Sequence, residues 1–90
     1  MELVLEPNGD YYVIDQKTTT MTSGIGSDIL TIVTAFLSSR NTFNYTEDNF
    51  PQYYVEEKFV YDSKGTLDGV IIATFSSLED LQTNYPELLI

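Results

Sequence analysis

Alternating apolar and polar residues near the N-terminus predict a β-hairpin. Two apolar runs flank Asn8-Gly9, and Asn-Gly is the strongest signal for a two-residue type I′ turn, because both central positions need positive φ. This turn pairs Leu5 with Tyr12 and Leu3 with Ile14. Because side chains alternate along a strand, these four residues are expected to share one apolar face.

A second hairpin is predicted between residues 53 and 75. One strand covers 53–62, Ser63-Lys64-Gly65 forms a three-residue loop with glycine in the left-handed region, and the other strand covers 66–75. This register gives one apolar face and one polar face. The apolar face collects Tyr53, Val55, Phe59, Tyr61, Leu67, Ile71, Ala73 and Phe75, interrupted by Glu57. The opposite face collects Tyr54, Glu56, Lys58, Val60, Asp62, Asp68, Val70 and Ile72.

Helical spacing occurs at two places in the chain. Apolar residues recur every three to four positions between Ile29 and Leu37, which predicts a main helix over 28–39 with Ser27 as its N-cap. A run of β-branched residues in this segment leaves a buried strand as the alternative. The capping-box pattern at 76–79 begins a short helix that Tyr85-Pro86 ends. Residues 16–26 and 41–52 are expected to be loops.

Together these elements predict an α+β fold in a single domain, residues 1–90. The two hairpins join into a four-stranded antiparallel sheet, the main helix packs on its apolar face, and a short helix lies at the C-terminus. The apolar surface expected under the main helix consists of Leu3, Leu5, Tyr12, Ile14, Val55, Phe59 and Ile71.

Composition excludes several classes of function. The 90 residues include 14 Asp and Glu, 4 Lys and Arg, and neither His nor Cys, for a net charge of −10. Disulfides, thiolate zinc sites and histidine catalysis are therefore excluded, and four scattered cations cannot form a nucleic-acid-binding patch. Neighbouring carboxylates such as Glu56 and Glu57 point to opposite faces of a strand, so no acid–base pair is indicated. We expect a protein without cofactor, metal or enzymatic activity, located in the cytoplasm.

The acidity itself indicates a cationic partner. A net charge of −10 exceeds the magnitude of roughly 2–8 that suffices for solubility, and like charges repel within a compact domain. Exposed tyrosines among acids are typical anchors at protein interfaces. The candidate contact residues are Glu6, Tyr11, Asp15, Glu47, Asp48, Tyr54, Glu56, Asp62 and Asp68. Carboxylates at strand spacing, about 6.7 Å along a strand, can present a charge array to a protein whose own site was built for nucleic acid.

Three segments resemble a known family of inhibitors. The runs 8–14, Ala35-Phe36 and 45–50 look like the hairpin, helix and acidic aromatic loop of small phage-encoded anti-CRISPR proteins, which occupy the DNA-recognition site of a type II CRISPR nuclease. The resemblance covers residues 8 to 58 and implies a DNA mimic whose acids near Glu47, Asp48 and Glu56 contact arginines. In that family the loop holds more acids, and here a second hairpin follows.

The sequence therefore predicts a small acidic binding protein of a phage or mobile element, which mimics nucleic acid and blocks a basic DNA- or RNA-binding site of a host enzyme. One alternative is an immunity protein or antitoxin that neutralises a cationic nuclease toxin. Another is a self-assembling phage accessory protein, for which outward Val70 and Ile72 on an edge strand would serve. We expect a monomer or a small homo-oligomer that binds neither nucleic acid nor membrane directly.

Overall fold

The computed structural model describes residues 1–22, 28–39, 42–45 and 53–89. It contains one curled antiparallel sheet of seven strands in the order β4-β3-β2-β1-β7-β6-β5. The strands are β1 (Glu2–Leu5), β2 (Tyr11–Asp15), β3 (Thr20–Thr22), β4 (Thr42–Asn44), β5 (Tyr53–Glu56), β6 (Phe59–Asp62) and β7 (Leu67–Thr74). The helices are α1 (Ile29–Leu37) and α2 (Leu78–Asn84), followed by a 3-10 helix at Pro86–Leu89.

The prediction of four strands is wrong. β3 and β4 lie in segments 16–26 and 41–52, which were expected to be loops, and strands of three residues are too short to show a period. The expected strand 53–62 instead turns back at Glu57-Lys58 to make β5 and β6. Glu57 has a φ of 57°, a conformation that non-glycine residues rarely adopt. Because this turn contains neither glycine nor proline, the sequence gives no signal for it.

The first hairpin is present but its register differs by one residue from the predicted one. Leu5 pairs with Tyr11 and Leu3 with Val13. A two-residue turn at Asn8-Gly9 would need an N–H from residue 7 to bond Asp10, and Pro7 has none. Instead the N–H of Glu6 donates to the Asp10 carbonyl at 2.8 Å, across a three-residue loop in which Gly9 holds φ at 93°.

This register change moves the apolar residues onto two faces of the sheet, because a one-residue shift exchanges the faces. The helix face holds one core cluster, with Leu3, Val13, Ala73 and Phe75 packed against Ile29, Ile32, Val33 and Leu81. The inner face holds a second cluster, formed by Val4, Tyr12, Ile14, Met21, Tyr45 and Val60 and flanked by Tyr53, Val55 and Ile71. The prediction is therefore wrong for four residues expected under α1, which lie on the inner face instead: Tyr12, Ile14, Val55 and Ile71.

The second loop, Ser63-Lys64-Gly65, forms as predicted. The N–H of Asp62 donates to the Thr66 carbonyl at 2.9 Å, and Gly65 has φ of 79°. The next pair, Tyr61 with Leu67, also keeps the predicted register. Beyond it the pairing departs from the prediction, because an irregularity between Val60 and Tyr61 leaves Asp68 unpaired and matches Val60 with Gly69. Val60 is fully buried and does not face outward.

The main helix is confirmed, with slightly narrower bounds than 28–39. Asp28 is its N-cap and accepts hydrogen bonds from the N–H groups of Leu30 and Thr31, whereas the predicted cap Ser27 lies outside the described residues. The capping box of α2 is also shifted by one residue. Ser77 accepts from the Asp80 N–H, and Asp80 accepts from the Ser76 N–H. Within the described ranges, neither helix is long and apolar enough to cross a membrane.

Candidate functional site

Two hairpin loops meet at one end of the sheet and bring acidic and tyrosine side chains together. The β1–β2 loop and the β6–β7 loop lie at the same end because β1 and β7 pair antiparallel, with Leu5 opposite Val70. We call this region the acidic end. It comprises Glu6, Asp10, Asp62 and Asp68 with Tyr12 and Tyr53.

Tyr12 and Asp68 form the centre of the acidic end. The Tyr12 hydroxyl donates to Asp68 Oδ2 at 2.6 Å and links β2 to β7 across the intervening β1. Tyr12 is 2% exposed, and its burial together with the Asp68 carboxylate raises the pKa of its phenol far above the ordinary value. The phenol is therefore a permanent donor that fixes the position of the carboxylate.

The carboxylates at the acidic end act on one another. Burial, and then the negative charges of Asp68 and Asp10, raise the pKa of Glu6 above its ordinary value of 4.5. Burial and the charges of Asp68 and Glu6 likewise raise the pKa of the Tyr53 phenol. Each group lies in a negative field, so adding a positive charge nearby would be favourable.

Little positive charge within the protein opposes this field. In the described part of the chain, the only ion pair joins the N-terminal ammonium of Met1 to Glu2 at 3.6 Å, at the opposite end of β1. The described lysines, Lys17, Lys58 and Lys64, lie in turns and form no ion pair with a described acid. Among the same described residues, no three acids lie close enough together to hold one metal ion.

Three of the predicted contact residues lie at the acidic end, namely Glu6, Asp62 and Asp68. Asp62 also shapes its loop, because its Oδ1 accepts from the N–H groups of Lys64 and Thr66, both at 2.9 Å. Asp68 is half-buried on the inner face and is not an outward residue. The predicted polar face of the second hairpin is therefore wrong in its composition.

The other predicted contact residues lie elsewhere. Tyr54 and Glu56 are exposed on the helix-face side of β5, whereas Tyr11 is half-buried against the α1 cluster. Asp15 lies at the other end of β2, where its Oδ1 accepts from the Lys17 N–H at 3.0 Å. Glu47 and Asp48 lie outside the described residues.

Sequence reasoning missed three members of the acidic end: Asp10, Tyr12 and Tyr53. Tyr12 was assigned to the core, which is correct for its ring but not for its hydroxyl. No pattern singles out Asp10, which follows the Asn8-Gly9 turn, and Tyr53 is predicted only as part of an apolar face. The available signal was the absence of an N–H on Pro7, since the correct register places Tyr12 beside Val4 on the inner face.

Comparison with family models, curated proteins and solved structures finds no significant match to this chain.

Proposed function

We propose that this chain is a non-enzymatic acidic binding protein whose acidic end occupies the basic nucleic-acid-binding site of a partner protein. The observation that carries the proposal is that folding places the Glu6 carboxylate close to Asp68 and Asp10, where burial and then these two negative charges raise the pKa of Glu6. Among the described residues, no lysine or arginine forms an ion pair with these carboxylates. Partner cations would relieve the repulsion that folding creates.

The rigidity of the acidic end favours recognition of a charged surface. Hydrogen bonds from Tyr12 and from backbone N–H groups fix the carboxylates of Asp68 and Asp62. Fixed charges lose little side-chain entropy on binding and can steer a complementary surface into register. Tyr53 is half-buried at the same end and adds an aromatic contact of the kind enriched in interfaces.

A protein of this kind can inhibit an enzyme by competing with its nucleic acid. The carboxylates take the positions of phosphates on arginine and lysine side chains that otherwise bind the DNA or RNA backbone. An inhibitor carried by a phage or mobile element fits this chemistry. An immunity protein against a nuclease toxin would use the same chemistry, and the identity of the bound partner distinguishes the two.

Affinity capture from host lysate at low salt tests the proposal. We expect the wild-type chain to retain a nucleic-acid-binding protein that added double-stranded DNA or RNA displaces. The double variant Glu6→Gln, Asp10→Asn removes two charges from the acidic end and should retain much less of it. The matched control Glu79→Gln, Glu87→Gln removes two exposed charges from the C-terminal helices and should behave as wild type. Equal retention by both variants, or a partner that nucleic acid does not displace, would refute the proposal.

A further inference from the structure

A pair of stacked tyrosines lies on the helix-face side of β5 and β6. The rings of Tyr54 and Tyr61 have centroids 5.0 Å apart and an interplanar angle of 21°. Tyr54 is 40% exposed, and Leu67, paired with Tyr61, is 41% exposed. We call these three residues the tyrosine platform. Helix α1 packs on the same face of the sheet but over β2 and β3, several strands away from β5 and β6, so α1 leaves the platform uncovered.

The platform adjoins an edge strand. β5 is the last strand of the sheet, and no other described strand pairs with its free side. The backbone groups on that side can accept an added strand. Along β5, Tyr54 and Glu56 face the platform side, while Tyr53 and Val55 face the inner side, next to Asp62 of the acidic end. An added strand would therefore reach both surfaces through alternate side chains.

Charge determines which kind of strand fits. Glu56 is exposed beside the platform and Asp62 lies behind it, so both sides of β5 favour a cation. A second copy of this chain would bring its own Glu56 and a further net charge of −10, which opposes pairing. Aromatic faces attract cations, and the planar guanidinium of arginine also stacks on them, unlike the ammonium of lysine.

We infer that an extended, arginine-bearing segment of a partner protein adds to β5. One arginine stacks on the tyrosine platform, and the neighbouring arginine points to the other face, towards Tyr53 and Asp62. The inference rests on the proposed function in so far as the partner is cationic, and it adds how that partner binds. The β5–β6 hairpin is then the contact that orients the partner against the acidic end.

A labelled short peptide with two adjacent arginines, flanked by valine and threonine, tests this inference at low salt. We expect it to bind, as measured by fluorescence anisotropy, and to slow amide hydrogen exchange in β5. Tyr54→Ala should weaken binding about two- to five-fold, the range of an exposed cation–π contact, whereas Tyr54→Phe should keep most of it. A lysine version should bind more weakly, and an N-methylated version that cannot pair as a strand should not protect β5.

The matched control is Phe43→Ala on β4, the opposite edge strand, because Phe43 is also 40% exposed. It should leave peptide affinity unchanged. Equal weakening by Phe43→Ala, no effect of Tyr54→Ala, or no protection of β5 would overturn the inference. A dimer of the free chain that Tyr54→Ala dissociates would also overturn it, since the platform would then bind a second copy.

The two proposals fail separately. If Glu6→Gln, Asp10→Asn reduces capture of the nucleic-acid-binding protein while Tyr54→Ala leaves peptide binding unchanged, the strand-addition inference is wrong and the proposed function stands. If the peptide binds β5 as expected but the captured protein is insensitive to Glu6→Gln, Asp10→Asn, the proposed function is wrong.

Discussion

Removing the Asp68 carboxylate should destabilise the protein, although the acidic end then loses one negative charge that repels the others. In Asp68→Ala the Tyr12 hydroxyl, now bonded at 2.6 Å and belonging to a residue only 2% exposed, loses its acceptor. A hydrogen bond to a charged group contributes about 1.5–3 kcal/mol, and a buried unsatisfied hydroxyl costs a similar amount. Relief of repulsion on Glu6 offsets roughly 0.5 kcal/mol of this loss, an energy typical of partly exposed charges. We expect a net loss of about 1–2 kcal/mol.

The variant Asp68→Asn removes the negative charge of residue 68 but keeps an acceptor for the hydrogen bond from Tyr12, so it separates their contributions to stability. Its amide oxygen can still accept from Tyr12, so its free energy of unfolding should lie within about 1 kcal/mol of wild type. In both variants the pKa of Glu6 should fall towards 4.5, because a cause of its elevation is removed. NMR titration of the Glu6 carboxyl measures this shift.

Urea unfolding followed by circular dichroism provides the stability assay, with Tyr12→Phe and the double variant Tyr12→Phe, Asp68→Ala completing a double-mutant cycle. A direct interaction predicts a coupling energy of about 1 kcal/mol or more. Coupling below about 0.3 kcal/mol, within the range of independent sites, would refute the assignment of this bond as the link between β2 and β7.

Three further predictions concern the first turn, the packing of the inner cluster and the pH dependence. Gly9→Val should lower the free energy of unfolding by roughly 1–3 kcal/mol in urea, through backbone strain alone, because φ is 93° and no atom lies within 4 Å of an added Cβ. Gly69→Ala should lower the free energy of unfolding by roughly 1–3 kcal/mol, because its Cβ would clash with Val4 Cγ1 in the inner cluster; an unchanged melting temperature would contradict that packing. The free energy of unfolding should rise as pH falls from neutral towards 4.5, because the raised pKa of Glu6 favours its protonation in the folded state. It should fall again below 3.8, because Asp28, whose pKa is lowered in the folded state, then becomes protonated and loses its role as a charged N-cap. A stability maximum at neutral pH in thermal melts would contradict this sign.

The sequence was informative wherever a single residue type determines the local conformation. Gly65 marked its loop, and Pro86 marked the end of α2. Pro7 also carried the information needed for the first register, because it lacks the N–H that a two-residue loop requires. The Asn-Gly signal outweighed it in the prediction, and the resulting one-residue error exchanged the two faces of β1 and β2 relative to each other.

The remaining errors have causes that local patterns do not show. Glu57 adopts positive φ without being glycine, and the carbonyl of the next residue, Lys58, accepts a hydrogen bond from the Ile71 N–H at 2.6 Å. β3 and β4 consist of three residues each, and their pairing is long-range. The irregularity that leaves Asp68 unpaired lies between Val60 and Tyr61 in the pairing of β6 with β7. The acidic end is therefore a property of the tertiary structure, assembled from residues that the sequence places in separate hairpins.

The salt dependence of the purified complex tests the central claim most directly. Once the captured partner is identified, its dissociation constant is measured between about 50 and 200 mM salt, the range over which phosphate contacts lose most of their affinity. The account predicts that affinity falls steeply with salt for wild type and for Glu79→Gln, Glu87→Gln, and that the slope is shallower for Glu6→Gln, Asp10→Asn. An affinity that does not change with salt, or equal slopes for all three proteins, would show that the acidic end does not form the interface.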